Sequence, residues 1–169
     1  MKKRWICLFV ENEIGVLARI SGLFSGKSYN LDSLTVGMTE DPTVSRMTIS
    51  LTSDDKTFEQ IKKQLGRSVE VIKVVDYTDK TIHMKEILFI KVSGCSEEDK
   101  TEIFRISEVF GVPVIDYDGT AVILECTQTE KDNDHLIALL KKNFMNRIEI
   151  VRGGSVAIEA VGFAKGMFR

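Results

Sequence analysis

The sequence predicts an α+β protein made of two ferredoxin-like βαββαβ modules, each an antiparallel sheet with its helices on one face. The first observation is the spacing of the apolar residues, which switches between the period of a strand and the period of a helix. The same order of strands and helices occurs twice. The second is that only two prolines interrupt the 169 residues. The third is a polar stretch near 78–83 between two apolar runs, so we place the modules at residues 1–78 and 79–169.

The first module opens with a strand that is apolar on both faces. Residues 4–10 carry apolar side chains at both odd and even positions, as in a central strand that is covered on both faces. Because the helices cover one face only, a partner subunit or the second module is expected to cover the other. Periods and end signals then predict a helix over 15–27, strands at 33–38 and 46–51 around an Asp41-Pro42-Thr43 turn, a helix from Asp54 or Asp55 to Gly66, and a strand over 69–75.

The second module repeats this order with different residues. A strand at 87–92 precedes Ser96 and Asp99, which form a variant of the capping box, and the helix that follows stops at Gly111. Asp118-Gly119 is a hairpin signal between strands at 114–117 and 121–126. Asp132 is expected to cap the last helix, and residues 148–151 form the last strand before a Gly-rich tail, which could be a strand, a swapped arm or a docking segment.

Composition excludes several classes of protein. With 23 basic and 25 acidic side chains the net charge is −2, so no field attracts nucleic acid or anionic lipid. The three cysteines are far apart and unpaired, which indicates reduced core residues rather than disulfides or a zinc site. The apolar run at residues 5–10 is shorter than the core of a signal peptide, which needs about 7–15 residues. We therefore expect a cytoplasmic protein that contacts no membrane.

The sequence offers no catalytic constellation. It lacks GxSxG, HExxH, Walker A and GxGxxG motifs, and it contains only two histidines, of which His83 is interpreted as a linker residue. An RNA-recognition module would need aromatic residues on its exposed strands, and an acyl-phosphate hydrolase would need a cationic loop after its first strand. That loop instead contains Glu11 and Glu13. We expect no catalytic residue, no metal site and no enzymatic activity of the chain itself.

One loop has the features of a ligand site. Gly15 stands at the start of the first helix, where backbone N–H groups lack helical partners and a carboxylate can approach closely. Asn12 adds an amide, and Asn30 adds another before the next strand. A small zwitterion would fit these groups, with its apolar side chain on Ile14, Leu17 or Leu31. Spacing alone favours the alternative, a plain turn in which Asn12 and Asn30 are ordinary turn residues.

The residues themselves resemble a known family. Residues 8–52, through Glu11-Asn12-Glu13-Ile14-Gly15-Val16-Leu17 and Tyr29-Asn30-Leu31-Asp32-Ser33, resemble an ACT domain. The segment Asp41-Pro42-Thr43-Val44-Ser45-Arg46-Met47-Thr48-Ile49 resembles the regulatory small subunit of acetohydroxyacid synthase, also called acetolactate synthase. The C-terminal module resembles that family in architecture, as an ACT-like domain, and at Arg152-Gly153-Gly154.

The resemblance implies a regulatory subunit without chemistry of its own. In that family a separate, larger catalytic subunit carries thiamine diphosphate, Mg²⁺ and FAD and makes acetohydroxyacids for branched-chain amino-acid synthesis. The small subunit activates it and confers feedback inhibition, usually by valine. Cofactors are therefore expected on the partner and none in this chain.

The resemblance also implies a shared effector site. Paired ACT domains join their sheets edge to edge in a homodimer and bind the effector between the subunits. The residues expected there are Asn12, Ile14, Gly15, Val16 and Leu17 from one chain, with Asn30 and Leu31 from its partner. No effector is expected at the corresponding loop of the second module, Gly94-Cys95-Ser96, which lacks the Asn-x-x-Gly pattern. The alternative is a free-standing ACT-domain sensor acting on another partner, although no helix-turn-helix or basic patch supplies an output.

Overall fold

The computed structural model of the protein describes residues 1–161 as two β-α-β-β-α-β modules. The first contains β1 (Lys2–Glu11), α1 (Val16–Ser25), β2 (Ser33–Met38), β3 (Val44–Ser53), α2 (Asp55–Leu65) and β4 (Val71–Asp76). The second contains β5 (Ile82–Ser93), α3 (Glu97–Phe110), β6 (Val114–Tyr117), β7 (Ala121–Gln128), α4 (Glu130–Phe144) and β8 (Ile148–Glu159). The predicted α+β class and the predicted element order are confirmed.

The first sheet has the strand order β2-β3-β1-β4. Its central pair is antiparallel, with Ile6 opposite Ile49 and Leu8 opposite Met47. These side chains face both helices and form one core with them, because period-2 strand positions and the helical stripes meet on the same side of the sheet. The buried members of this core are Ile6, Leu8, Val10, Val16, Ile20, Phe24, Met47, Ile49, Leu51, Phe58, Ile61 and Leu65.

The second sheet has the order β6-β7-β5-β8 and a core of its own. Its first helix begins as predicted, since the Ser96 hydroxyl accepts from the Asp99 N–H and the Asp99 carboxylate accepts from the Ser96 N–H. This reciprocal cap satisfies two backbone donors that the helix cannot satisfy itself. The helix ends at Gly111, whose φ of 63° lies in the left-handed region that glycine tolerates.

One local prediction in the second module needs correction, and another is confirmed by a different turn chemistry. Asp132 is not the cap of α4: the cap is Thr129, whose hydroxyl accepts from the Asp132 N–H at 3.2 Å, so the helix starts earlier than its apolar stripe. The predicted Asp118-Gly119 hairpin is confirmed, and its Gly119 has no positive φ. Instead the Asp118 carboxylate accepts from the N–H groups of Thr120 and Ala121, at 2.6 and 2.7 Å, and closes the turn with its side chain.

The last strand is longer than the predicted 148–151 and continues to Glu159. Its close packing explains Gly153, where an added Cβ would lie 2.6 Å from the Ile87 side chain. The chain divides into a unit of residues 1–83 with 156–161 and a unit of residues 84–155. This division differs from the predicted 1–78 and 79–169 in that residues 156–161 lie with the first unit, where the Ala160 N–H donates to the Thr81 oxygen at 3.0 Å. Residues 162–169 of the predicted tail lie outside the described part.

The end of β8 also supplies cover for the first sheet. On the face opposite the helices, Cys7 is fully buried and Thr48 nearly so. Arg46 on this face donates to the carbonyl oxygen of Ala157 at 2.6 Å, and Ala157 is itself buried. Part of the cover expected from a partner or from the second module therefore comes from the chain's last strand.

Candidate functional site

The loop between β1 and α1 leaves the N-terminus of α1 uncapped. Gly15 occupies the cap position with φ 87° and ψ −8°, and no side chain accepts a hydrogen bond there. Within residues 1–161, no backbone acceptor pairs with the N–H groups of Gly15, Leu17 and Ala18, and the Val16 N–H reaches the Glu13 oxygen only at 3.4 Å. Apart from Gly15 and its chain neighbours, no atom of the described residues lies within 4 Å of a Cβ built on Gly15. The helix thus presents open donors and its positive dipole end to an anion.

Asn12 is fixed beside these donors by the turn between β2 and β3. Its side-chain amide donates to the Pro42 carbonyl oxygen at 2.9 Å, and its side-chain oxygen accepts from the Ser45 hydroxyl at 2.9 Å. Its backbone N–H donates to Thr43 at 2.8 Å. One amide hydrogen and one lone pair of the side chain stay available to a ligand. Asn12 therefore ties two loops together.

The turn that holds Asn12 is itself rigid. The Asp41 carboxylate accepts from the Thr43 N–H at 2.9 Å and from its hydroxyl at 2.7 Å. These hydrogen bonds from Thr43 lower the pKa of Asp41, because the closed turn favours the ionised carboxylate. On the other side of the loop, the Arg19 guanidinium pairs with Glu70 and lowers the pKa of that carboxyl.

The apolar residues of the loop divide between core and solvent. Val16 is 3% exposed and packs in the core, so only its backbone faces the loop. Leu17 is 42% exposed, and the side chain of Ile14 is completely exposed. The loop of one chain therefore supplies anion donors, one amide and two apolar side chains on an open surface.

Asn30 and Leu31 lie elsewhere in the protomer. They follow the C-terminal end of α1, whereas Gly15 precedes its N-terminal end, and ten residues of helix span about 15 Å. Asn30 is exposed and lines a cleft of about 250 Å³ with Ser53 and Asp54, while Leu31 packs against the core. One chain thus brings Asn12 to Leu17 together and leaves the second group apart. The shared site stays a prediction.

The sequence did not single out Ser45 or Arg46 as functional residues. Ser45 holds Asn12, and Arg46, the next residue, holds Ala157. The only signal was their place in the family-like segment at 41–49, because hydrogen bonds between distant segments leave no periodic trace in a sequence.

Three further features concern the cysteines, metal binding and membrane spans. Cys7, Cys95 and Cys126 are buried free thiols, and burial raises the pKa of Cys126 to about 11. Among residues 1–161, no group of three or more His, Cys, Asp or Glu side chains is arranged to hold a metal ion. In the same part of the chain, no helix combines the length and apolar character needed to cross a membrane.

Comparison with known proteins identifies the family. Residues 6–73 match the family model of the AHAS small subunit-like ACT domain, and residues 85–161 match that of the small subunit of acetolactate synthase. The acetolactate synthase small subunit of Aquifex aeolicus is 39% identical over 94% of this chain and 81% of its own length. That of Buchnera aphidicola (subsp. Schizaphis graminum) is 35% identical over 92% of this chain and 98% of its own.

A solved structure agrees with these relatives. The crystal structure of the acetolactate synthase small subunit from Thermotoga maritima superposes with a TM-score of 0.85 at 34% identity, covering 96% of this chain and all of that one. Both modules therefore match the same family in sequence and in fold. The chain belongs to the family of acetolactate synthase small subunits, and its N-terminal module is an ACT domain.

Proposed function

We propose that this chain is the regulatory subunit of a cytoplasmic acetolactate synthase, which activates a larger catalytic subunit and makes it sensitive to valine. The observation that supports this most is the open N-terminus of α1 at Gly15, with Asn12 fixed beside it. A plain turn does not require an uncapped helix end, an empty space and a doubly hydrogen-bonded amide in one place.

The loop suits the backbone of an amino acid. The carboxylate of valine would accept hydrogen bonds from the N–H groups of Gly15, Leu17 and Ala18, at the positive end of the helix dipole. Its ammonium would donate to the free lone pair of the Asn12 side-chain oxygen. Its isopropyl group would cover apolar surface at Ile14 and Leu17, which are exposed in the protomer.

A homodimer would complete this site. The strand β2 is an edge of the first sheet, and it exposes Val36 and Met38 by 46% and 73%. Antiparallel pairing of two such edges places the start of one β2 beside the end of the other. The start of β2 follows Asn30 and Leu31, and its end leads into the turn that holds Asn12. Pairing would thus bring Asn30 and Leu31 of one chain to the open loop of the other.

In this proposal the reaction takes place on another chain. Thiamine diphosphate, Mg²⁺ and FAD belong to the catalytic subunit, and the residues of this chain bind the effector and pass on its presence. The link between valine binding and activity is a coupling free energy, typically about 1–3 kcal/mol or roughly 5- to 150-fold in affinity. A site shared between two chains also links valine binding to dimerisation by mass action.

The test uses the full chain and the catalytic subunit of the same organism. We expect calorimetry to show one valine bound per chain, at each of the two equivalent sites of a homodimer. We also expect the catalytic subunit to co-purify with the chain. Acetolactate formation from pyruvate should rise when the chain is added and fall again with valine. Acetolactate formation by the chain alone would contradict the proposal. Valine binding without association with the catalytic subunit would instead support the alternative, a free-standing ACT-domain sensor.

A further inference from the structure

Arg46 attaches the end of β8 to the ACT sheet. It lies on the face of β3 opposite the helices, with its guanidinium 5.4 Å from the centre of the Phe9 ring. Its Nη2 donates to the Ala157 carbonyl oxygen at 2.6 Å and to the Tyr77 hydroxyl at 2.8 Å, and its Nε donates to the Cys7 sulfur at 3.1 Å. Charge-assisted hydrogen bonds of this kind in a largely water-excluded place are strong and directional.

The surroundings fix the guanidinium itself. Tyr77 and Ala157 are 4% and 7% exposed, and Cys7 is fully buried. Burial raises the pKa of Tyr77, whose hydroxyl accepts the hydrogen bond from Arg46. The Arg46 side chain is therefore held by the sheet on one side and holds the last strand on the other.

Ser45, the preceding residue, contacts the candidate effector loop. Its hydroxyl donates to the Asn12 side-chain oxygen at 2.9 Å, and the residue is 7% exposed. Successive residues of a strand point to opposite faces, so Ser45 and Arg46 act on opposite sides of the sheet. Both stand near the start of β3, which pairs with β1 and β2. A change at the loop can therefore reach the last strand through two adjacent residues.

The last strand has room to respond. A cleft of about 240 Å³ lies beside the contact, between β2 residues 35–38, Arg46, Thr48 and the segment of Val156 and Ala157. Ala157 lies in β8, the strand that begins at Ile148 in the second module. The backbone therefore connects Ala157 directly to the second module.

We propose that Ser45 and Arg46 transmit effector occupancy from the β1–α1 loop to the C-terminal strand, with Arg46 as a positioning residue for the regulatory response. The inference rests on the proposed function and extends it, since it assigns the step between binding and response. It predicts that binding and response can be separated by mutation.

The main variant is Arg46→Met, which keeps the length of the side chain and removes its hydrogen bonds. The matched control is Lys73→Met. Lys73 lies on the same sheet face with its ammonium 5.9 Å from the centre of the same Phe9 ring, yet it is exposed and makes no hydrogen bond to the described part of the tail. Each variant is assayed with the catalytic subunit, for valine binding, for activity without valine and for inhibition at saturating valine.

We expect Arg46→Met to bind valine within about 3-fold of the wild type and to activate the catalytic subunit normally, while inhibition weakens about 10-fold or more. Amide exchange at residues 156–161 should become about 10-fold faster or more, because this segment loses its buried anchor. Lys73→Met should match the wild type in every readout. Arg46→Lys should keep more of the inhibition than Arg46→Met does, since its ammonium can still reach the Ala157 oxygen.

Ser45→Ala provides a second test that removes only one hydroxyl. At saturating valine it should show reduced inhibition, and combination with Arg46→Met should add little, because the two residues act in series. Two results would overturn this inference and leave the proposed function intact. One is normal inhibition by valine with folded Arg46→Met, and the other is additive losses of inhibition in the double variant. If Arg46→Met fails to fold, full inhibition of Ser45→Ala overturns it. If the wild type shows no valine response, the proposed function fails first, and the inference fails with it.

Discussion

Replacing Gly15 with Asp is expected to abolish valine binding while leaving the fold intact. A Cβ at this position meets no atom within 4 Å, so the cost to the fold comes from the backbone alone. At φ 87° an L-residue costs about 1–2 kcal/mol, and Asp and Asn tolerate this region best. A domain with about 5–15 kcal/mol of stability remains folded after such a loss.

The loss of affinity should be much larger than this strain. The new carboxylate would occupy the space in front of the Gly15, Leu17 and Ala18 N–H groups or repel the carboxylate of valine. Each charge-assisted hydrogen bond contributes about 1.5–3 kcal/mol. Two unit charges at about 4 Å repel by about 1–4 kcal/mol near a protein surface. Loss of even one hydrogen bond together with this repulsion weakens binding by roughly 100-fold or more.

The assay is calorimetric titration of valine into the folded variant, with Gly15→Asn as the matched control. Asn has the same shape and the same backbone strain without the charge, so it should lose only about 10-fold, equivalent to about 1.4 kcal/mol. Thermal unfolding of both variants confirms that they are folded. Wild-type affinity in folded Gly15→Asp would refute the placement of the carboxylate. Equal losses in both variants would show that shape, not charge, governs the site.

Two further predictions concern the second module. Arg152→Met should lower the free energy of unfolding in urea by about 3 kcal/mol, because it removes the guanidinium that contacts the buried Glu86 carboxylate at 2.7 and 2.9 Å. The control is Arg105→Met, which breaks an exposed ion pair within one helix and should cost under about 0.5 kcal/mol. Equal losses of stability in the two variants would contradict this prediction. The hydrogen bond from Arg147 lowers the pKa of Asp99 from 3.8 to about 2. Since the folded pKa lies below the unfolded one, this stabilisation is complete above about pH 4 and disappears as the pH falls through about 2. The difference in melting temperature between Asp99→Asn and the wild type should therefore become smaller as the pH falls from pH 5 to pH 2. A difference that does not change with pH would refute the role of the Asp99–Arg147 pair.

Helices, strands and most of their ends were predictable because their signals are local. The stripe of Phe58, Ile61 and Leu65 predicted α2, and Asp54 caps it through a 2.8 Å bond to the Thr57 N–H. The shift of the α4 cap from Asp132 to Thr129 shows the limit of such signals. Both residues can cap a helix, and sequence spacing does not determine which hydroxyl or carboxylate the backbone will meet.

The candidate site was predictable in part for the same reason. Gly15 at the start of a helix and Asn12 before it are local features, and the resemblance to a family gave them a role. The pairing of Asn12 with Ser45 joins residues 33 positions apart. No period or motif encodes such a contact, because it depends on how the loops close over the end of the sheet.

The sequence by itself determined the fold class, the two modules, the burial of the cysteines and the residues of the candidate loop. Each depends on periodicity, composition or neighbours along the chain. The tertiary structure alone decided that Arg46 binds Ala157 and that the last strand runs to Glu159 and covers part of the first sheet. Those features depend on long-range contacts, such as the Arg46–Ala157 hydrogen bond across 111 sequence positions, which exist only once the sheet has formed.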